Sequence, residues 1–276
     1  MSGLISEIKK AARNNGTKIQ TSESAKLEKI FNAMFYLDKN IKEETKFVQQ
    51  VMTRGAETQE RIGLHASALI AGEKDFCIRQ QVLSLLYRQL QGEQVEVGLK
   101  RIFEQGNAIH EKWQRLFIRA GYSTYKDLDV TRYDERYKIS FTPDIICRIP
   151  EFYDDRMIGE IKSVNTYQFQ KMSKHPSAYK QCQWYMFLTG IKKGFVLSED
   201  KNTQDFKVEV YDFDSVLIAP FQDRAEQISY YYDRVLKEHK MVARPNDCKS
   251  PDCKRCSKCA LRDSCWNIGK GKIRIG

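Results

Sequence analysis

The sequence predicts an α/β protein in which helices flank a mixed β-sheet. Three observations favour this fold class: a long amphipathic segment near residue 100, a run of short apolar stretches after it, and an alternation of helix-like and strand-like segments up to about residue 240. Helices and strands in such an order bury their apolar faces as packed layers. Hydrophobic residues make up 41% of the 276 residues, which is enough to bury a core.

Residues 1–62 are predicted to form an N-terminal helical region after a polar start over residues 1–20. Apolar residues recur there at helical spacing in two groups. The groups are Leu27, Ile30, Phe31, Met34 and Phe35, followed by Phe47, Val48, Val51 and Met52. Because neither group carries side chains suited to chemistry, we expect these helices to pack against or cap the rest of the chain.

Two more helices are predicted before the strands begin. Residues 63–95 start with loop-like residues and become helical after Phe76. The next helix spans roughly Val97 to Ala120, and Gly121 ends it. Its buried stripe is predicted to be Ile102, Ile109, Trp113, Leu116 and Phe117.

The strands are predicted inside a core domain of residues 96–240. Five stretches concentrate or alternate apolar residues as strands do. They are YSTYKDLDV, TPDIICRI and MIGEIKSV, then KGFVLS and FKVEVYD. A helix from about Ser177 to Thr189 separates the two groups and ends at Gly190, and a last helix spans about Phe221 to Glu238.

Positive charge and cysteine are concentrated in a C-terminal lobe, residues 241–276. The net charge is +10, and residues 237–276 hold eleven Lys and Arg against four Asp and Glu, a surplus of seven. Such a surface suits a phosphate backbone, and it is equally consistent with a tail that only increases solubility. Four of the eight cysteines lie between Cys253 and Trp266. In a reducing compartment such a cluster indicates metal binding more often than disulfides.

No segment approaches the ~20 consecutive apolar residues of a transmembrane helix. The N-terminus also lacks the apolar run and cleavage site of a secretion signal. We therefore expect no membrane association and a cytoplasmic location, or the host cytoplasm if a phage encodes the protein. No G-x4-G-K-[ST] loop is present, so any unwinding of a duplex would depend on a partner.

Four short motifs place polar side chains together on predicted helices and strands. They are GNAIH with Gly106 and His110, TPDII with Asp144, GEIKS with Glu160 and Lys162, and QCQWY with Gln181 and Tyr185. The paired residues share one face of a strand or of a helix. Each motif alone has an ordinary structural explanation, such as a turn aspartate or a core histidine. Their combination is what indicates a site.

These residue types together suit the hydrolysis of a phosphodiester bond. Two carboxylates and water favour a hard divalent cation, Mg²⁺ or Mn²⁺, and the imidazole of His110 would shift the preference towards Mn²⁺. Lys162 beside that cation would hold or deprotonate the attacking water and stabilise a phosphoryl oxygen. Gln181 and Tyr185 would orient the lysine or hold a phosphate.

In order and spacing, the four motifs resemble the RecB-type branch of the PD-(D/E)XK nucleases. The likeness covers about residues 64–266 and implies a restriction-endonuclease-like mixed sheet flanked by helices, with residues 96–240 as the nuclease core. By this resemblance the metal ligands are His110, Asp144, Glu160 and the carbonyl of Ile161, and the catalytic residues are Asp144, Glu160, Lys162, Gln181 and Tyr185.

The cysteines extend the resemblance to those members of the branch that carry an iron–sulfur cluster, such as the Cas-four CRISPR adaptation nucleases and the AddB nuclease domain. These have one cysteine before the core and a C-x2-C-x5-C pattern after it. Cys256, Cys259 and Cys265 match the later pattern, and Cys77 in FCIRQ matches the earlier one. Four thiolates suit a 4Fe–4S cluster, which would join residues 63–95 to the C-terminal lobe.

Cys248 and Cys253 depart from that pattern. They leave open a Zn²⁺ site of Cys253, Cys256, Cys259 and Cys265, in which case Cys77 is only a small buried hydrophobe. Cys147 and Cys182 lie in segments predicted to be buried, so we expect them in the core.

The sequence thus predicts a metal-dependent DNA nuclease, an exonuclease on single-stranded DNA or duplex ends, with a structural 4Fe–4S cluster. The alternative is a nucleic-acid-binding subunit of a repair, recombination or CRISPR adaptation complex, with little activity of its own. In that case a helicase, recombinase or integrase would be the partner. A zinc-binding regulator is a third possibility.

Overall fold

The computed structural model describes residues 23–37, 40–56, 63–72, 76–87, 97–173, 175, 177–257, 259 and 261–268. Its helices are α1 (Glu23–Met34), α2 (Ile41–Ala56), α3 (Ile78–Leu86), α4 (Val97–Ala120), α5 (Thr166–Lys171), α6 (Ala178–Thr189), α7 (Ser215–Glu238) and α8 (Arg262–Asn267). Its strands are β1 (Leu64–His65), β2 (Arg132–Asp134), β3 (Ile139–Phe141), β4 (Ile145–Ile149), β5 (Tyr153–Val164), β6 (Lys193–Asp200) and β7 (Phe206–Asp212). Among the described helices, none is long and apolar enough to cross a membrane.

The strands form two mixed sheets. The larger sheet has the order β4-β5-β6-β7, in which β5 and β6 are parallel and each outer strand is antiparallel to its neighbour. The smaller sheet has the order β1-β3-β2, with β1 parallel and β2 antiparallel to β3. Parallel neighbours need a crossover connection, and the segment with α5 and α6 provides it between β5 and β6.

Helices cover both faces of the larger sheet. On one face, Ile146 and Val196 share an apolar core with α6 and α7. On the other face, Ile145 and Phe195 share a core with α1 and α4. Adjacent strand residues enter different cores because successive side chains point to opposite faces. This arrangement confirms the predicted α/β fold with a mixed sheet flanked by helices.

Several predicted elements agree closely with the structure. α4 has the predicted bounds, and Gly121 follows it with a φ of 77°. α6 ends as predicted at Gly190, whose φ of 74° is in the left-handed region that glycine adopts without strain. β7 coincides with the predicted stretch, and β6 extends its stretch by two residues to Asp200.

The predicted strand over residues 122–130 is wrong. The chain there forms a short 3₁₀ turn, Tyr125–Asp127, and Leu128 alone makes an isolated bridge, with Ile145. Within this stretch Tyr122 and Leu128 are the buried residues, so its apolar residues anchor a surface connection and do not line a sheet.

The predicted burial of Ile102 is also wrong, because the side chain is 50% exposed. The first turns of α4 extend beyond the core, and one face of the helix becomes buried only from Ile109 onward. The other predicted members of the stripe, Trp113, Leu116 and Phe117, are buried.

α7 begins six residues earlier than predicted, at Ser215. Asp214 caps the helix, since its Oδ1 accepts the N–H groups of Val216 and Leu217 at 2.9 and 3.1 Å. Pro220 lies inside the helix, so it marks neither end. The aspartate cap therefore sets the start of the helix.

The N-terminal helices pack on the core, as expected. The ring of Phe31 in α1 makes edge contacts with Phe117 and Phe195, with ring centroids 5.1 and 5.2 Å apart. Glu28 Oε1 accepts the backbone N–H of Val208 at 2.9 Å, so α1 covers part of the free edge of β7. In α2, Glu44 accepts hydrogen bonds from Arg115 and Arg119 of α4.

Cys147 and Cys182 are buried on opposite faces of the larger sheet, which confirms their assignment to the core. The proposed domain boundaries after residues 62, 95 and 240 stay predictions.

Candidate active site and cysteine centre

The carboxylates of Asp144 and Glu160 lie close together at one end of the larger sheet. In the antiparallel β4–β5 ladder Ile145 lies opposite Gly159, so the register brings Asp144, one residue before β4, towards Glu160. Asp144 is buried, and its Oδ2 accepts the backbone N–H of Ile161 at 2.7 Å. The backbone of the central strand therefore fixes the orientation of this carboxylate. Ile161, expected to contribute its carbonyl, contacts the site here through its amide.

α4 brings His110 to the same place. His110 Nδ1 is 3.3 Å from Asp144 Oδ1, and one turn later Gln114 Nε2 donates to the Asp144 backbone carbonyl at 2.9 Å. Burial opposes the charged imidazole, but the Asp144 carboxylate outweighs it and raises the pKa of His110. Burial likewise opposes the charged carboxylate, and His110 lowers the pKa of Asp144 despite it. Each group therefore stabilises the charged form of the other.

Glu160 and Lys162 form a buried ion pair on β5. Glu160 is 1% exposed, and its Oε1 accepts a hydrogen bond from Lys162 Nζ at 2.5 Å. Among the described residues its buried Oε2 has no hydrogen-bond partner. Burial and the neighbouring Asp144 raise the pKa of Glu160 to about 7, although Lys162 acts in the opposite direction. The site thus holds a buried carboxylate whose second oxygen has no hydrogen-bond donor among the described residues.

The accessory motif on α6 lies against this lysine. Gln181 Oε1 is 3.4 Å from Lys162 Nζ and accepts from it, while Gln181 Nε2 donates to the Tyr185 hydroxyl at 2.8 Å. Tyr185 is fully buried, and burial together with the Glu160 carboxylate raises its pKa well above the usual value. The chain Tyr185–Gln181–Lys162–Glu160 is therefore a continuous hydrogen-bonded series from α6 to β5.

The donor set at this site fits a hard divalent cation in its chemistry. Two carboxylates and an imidazole converge, and a cation would satisfy the unpaired Oε2 of Glu160 and lower the pKa of that carboxyl. The donor atoms of His110, Asp144 and Glu160 nevertheless do not all lie within 4.8 Å of one another. Within the described part of the chain, three ligand-type side chains have donor atoms within 4.8 Å of one another only at Cys248, Cys253 and Cys256.

Glu199 and Gln114 also hold α4 against the sheet and were not singled out from the sequence, whereas Gly106 was. Glu199 at the end of β6 is buried, and it accepts hydrogen bonds from Lys112 Nζ at 2.7 Å and Trp113 Nε1 at 2.6 Å. A Cβ on Gly106 would lie 3.3 Å from Ser163 Oγ, so this glycine lets α4 approach β5 beside Lys162. The spacing of Gln114, four residues after His110, was the only sequence signal for its role.

His175 is a second residue that sequence reasoning missed. Its Nδ1 accepts the backbone N–H of Ala178 at 3.1 Å, at the start of α6. Burial and the positive charge of Lys162 lower the pKa of His175. A single histidine before a helix gives no pattern, so only the folded chain shows that it neighbours the site.

Five cysteines line one small cavity where the C-terminal lobe meets α3. The described cysteines at its wall are Cys77, Cys248, Cys256, Cys259 and Cys265. Cys77 immediately precedes α3 and stands 171 residues before Cys248 in the sequence. The four cysteines of the predicted cluster are thus brought together, whereas Cys253 of the alternative zinc set lies with Cys248 and Cys256 instead.

Four described arginines line this cavity, and three of them belong to the C-terminal lobe. The lining includes Arg79, Arg244, Arg255 and Arg262. Arg79 Nε donates to Cys265 Sγ at 3.1 Å, and Arg79 and Arg244 both donate to the Cys265 carbonyl. These hydrogen bonds give Arg79 and Arg244 a local structural role, so the arginines of this cavity are not all available to a phosphate backbone.

Comparison with known proteins gives distant likenesses only. No family model matches the chain, and no curated protein matches it. The chain is similar to the solved structure of LHK-Exo in complex with dAMP, an alkaline exonuclease from Laribacter hongkongensis, with 18% identity, a TM-score of 0.47 and coverage of 64% of this chain and 90% of that chain.

Two further solved structures are similar at the same level. For SSO0001 the identity is 13% and the TM-score 0.43, with 83% of this chain and 96% of that chain covered. For a phage-related exonuclease from Haemophilus somnus 129PT the identity is 17% and the TM-score 0.43, with 64% of this chain and 96% of that chain covered. At this distance a function has to be argued from the site itself.

Proposed function

We propose that this protein is a metal-dependent nuclease that hydrolyses phosphodiester bonds of DNA, acting as an exonuclease on single-stranded DNA or duplex ends. One observation carries the proposal: the buried Glu160 has one oxygen paired with Lys162 and one oxygen without a partner among the described residues, beside the Asp144–His110 pair. Burial of a carboxylate oxygen without a partner costs free energy, and a metal cation bound to that oxygen would remove the cost.

His110, Asp144 and Glu160 would hold the cation, Mn²⁺ or Mg²⁺. When bound, it would neutralise charge on the scissile phosphate and make an attacking water more acidic. The imidazole nitrogen favours Mn²⁺ over Mg²⁺, which prefers oxygen ligands. The N–H of Ile161 and the side chain of Gln114 keep Asp144 aimed into the site.

Lys162 would position the attacking water and stabilise the developing negative charge. Its ammonium is held on two sides, by Glu160 at 2.5 Å and by Gln181 at 3.4 Å. Burial lowers the pKa of Lys162, but the Glu160 carboxylate more than compensates, and the net pKa is raised. The lysine is therefore a fixed positive charge in the free site, which suits binding and polarising a phosphoryl oxygen.

The proposed 4Fe–4S cluster would be held by Cys77, Cys256, Cys259 and Cys265. Their common position at one cavity supports this set, and the Arg79 N–H donated to Cys265 Sγ is the kind of bond that stabilises a cluster thiolate. Its role would be structural, because it would tie the segment before α3 to the C-terminal lobe and so restrain a long loop.

A second candidate is a nucleic-acid-binding subunit that does not cleave. Two observations favour it: the net charge of +10 and the open arrangement of His110, Asp144 and Glu160. A helicase, recombinase or integrase would then supply the activity of the complex.

Digestion of end-labelled single-stranded and duplex DNA with Mn²⁺ or Mg²⁺ separates the two candidates. The test compares wild type with Asp144→Ala, and Asp154→Ala, at an exposed position of β5, is the matched control. Metal-dependent cleavage that Asp144→Ala abolishes and Asp154→Ala preserves would establish the nuclease, and the products would give its polarity. Folded wild-type protein that binds DNA without cutting it would favour the binding subunit.

A further inference from the structure

Two cysteines, Cys248 and Cys253, have no role in the proposed cluster, yet they are part of the tightest group of ligand atoms among the described residues. The thiol sulfurs of Cys248, Cys253 and Cys256 all lie within 4.8 Å of one another. The sulfurs of Cys248 and Cys256 are 3.5 Å apart. Cys248 is only 8% exposed.

The spacing of these sulfurs distinguishes two kinds of centre. Around a tetrahedral Zn²⁺ with bonds of about 2.3 Å, neighbouring thiolate sulfurs are roughly 3.8 Å apart. Thiolates on a 4Fe–4S cluster are farther apart, because each binds a different iron atom. The separation of Cys248 and Cys256 therefore fits ligands of a single ion. Cys77, Cys259 and Cys265 face the cavity without forming such a close group within the described chain.

Backbone hydrogen bonds fix the turn that carries Cys253 and Cys256. Cys253 N–H donates to the Ser250 carbonyl at 3.2 Å, and Ser257 N–H donates to the Cys253 carbonyl at 2.9 Å. This C-x2-C segment is thus held in a conformation that places both of its sulfurs within 4.8 Å of Cys248 Sγ.

We propose that Cys248, Cys253 and Cys256 bind one Zn²⁺ ion in a mononuclear site beside the cavity of the proposed cluster. Thiolates are soft ligands that select such an ion, and three of them leave a fourth position for water or another group. The site does not depend on nuclease activity. It shares Cys256 with the proposed cluster, and a thiolate sulfur can bridge two metal centres.

Metal analysis of the full chain, purified without air from cells grown with iron and zinc, tests the site. We expect one zinc per chain in wild type, loss of that zinc in the double variant Cys248→Ser/Cys253→Ser, and retention of iron and of the visible absorption. Cys77→Ser is the reciprocal control, expected to lose iron and keep zinc. Wild type without zinc, or zinc unchanged in the double variant, would overturn the proposal.

A second measurement needs no variant, in case the double variant does not fold. X-ray absorption at the zinc edge of wild type should show three sulfur ligands at about 2.3 Å. A shell of nitrogen and oxygen alone would show that zinc binds elsewhere and would overturn the site. Protein with zinc but no iron, whose zinc the double variant loses, would remove the proposed cluster and leave the zinc site standing.

Discussion

The candidate active site and the cysteine centre differ in what holds them together. The proposed active-site residues lie on β5, α4 and α6 and immediately before β4, and hydrogen bonds to one another and to the backbone fix them in position. The C-terminal lobe has one short helix among its described residues, α8, and none of the side chains of α8 is buried. A segment with so little apolar burial depends on cross-links for its structure. We infer that the proposed cation of the active site binds side chains that the folded protein already holds in position. In the C-terminal lobe, we infer that the proposed metal provides the stability that a hydrophobic core provides elsewhere.

The largest effect that this comparison predicts is the loss of structure in the lobe when its proposed metal is removed. Cys259→Ser, treated with a chelator that also removes any zinc, should expose residues 241–268 to protease while the sheet and its helices stay protected. Structural metal sites contribute about 10 kcal/mol or more to the folding of small units, which exceeds what the few buried side chains of the lobe can supply. Limited proteolysis with mass mapping of the fragments is the measurement.

Ser257→Ala is the matched control for that change, since Ser257 is an exposed neighbour whose hydroxyl bonds only locally, to the Lys254 carbonyl. Its digestion pattern should equal that of wild type. Protection of the lobe in metal-free Cys259→Ser protein would show that packing alone holds it, and the contrast between the two regions would be lost.

In the active site, Lys162→Ala should abolish most activity and leave the fold intact. Removal of a preorganised positive charge at a developing anion costs about 10³-fold, equivalent to roughly 4 kcal/mol. The variant also leaves Glu160 without its ion-pair partner, so the pKa of that carboxyl should rise further. The measurement is the initial rate of DNA cleavage with Mn²⁺, with circular dichroism as the check on folding.

Lys46→Ala serves as the control, because Lys46 lies in α2 and pairs with Glu43 at the surface. Its rate should match that of wild type. A Lys162→Ala enzyme with a rate within a few-fold of wild type would show that the ion pair with Glu160 is structural only.

The two regions also differ in how far the sequence could predict them. The active-site motifs lie on regular elements, where the alternation of side chains along a strand is sufficient to place Glu160 and Lys162 on one face. Glu199 could not be found this way, because its role depends on which residues of α4 pack against the end of β6. The cysteine-rich part of the lobe has no helical or strand periodicity from which the direction of a side chain could be predicted. The closeness of Cys248 to Cys256 follows from turns between them, and spacing along the chain does not give a distance.

A smaller effect concerns the pH dependence of the metal-free protein. The folded pKa of Glu160 is about 7, against 4.5 in an unperturbed chain. Between these values the folded state retains a proton that the unfolded state has lost. The stabilising contribution of this proton is therefore fully present below pH 4.5. It is lost as the pH rises towards 7, and the free energy of unfolding falls by roughly 3 kcal/mol.

Urea unfolding in EDTA at several pH values, for wild type and Glu160→Gln, tests this effect. The free energy of unfolding of wild type should fall relative to the variant between pH 4.5 and 7, because glutamine does not titrate. Added Mn²⁺ should reduce the difference, since a cation stabilises the ionised carboxylate. Parallel curves for the two proteins in EDTA would mean that Glu160 is ionised without a cation, and the site would then not require one.

The smallest predicted effect lies at the outer end of the hydrogen-bonded series. Tyr185→Phe removes the hydroxyl that accepts from Gln181 Nε2 and leaves the buried ring in place. One buried hydrogen bond contributes about 1 kcal/mol, so we expect a several-fold loss of the cleavage rate and a similarly small loss of stability. Tyr230→Phe, at an exposed position of α7, should change neither. If Gln181 orients Lys162 through this bond, Tyr185→Phe should have little additional effect in a Gln181→Ala background, whereas independent effects that add would place Tyr185 in the packing of α6 alone.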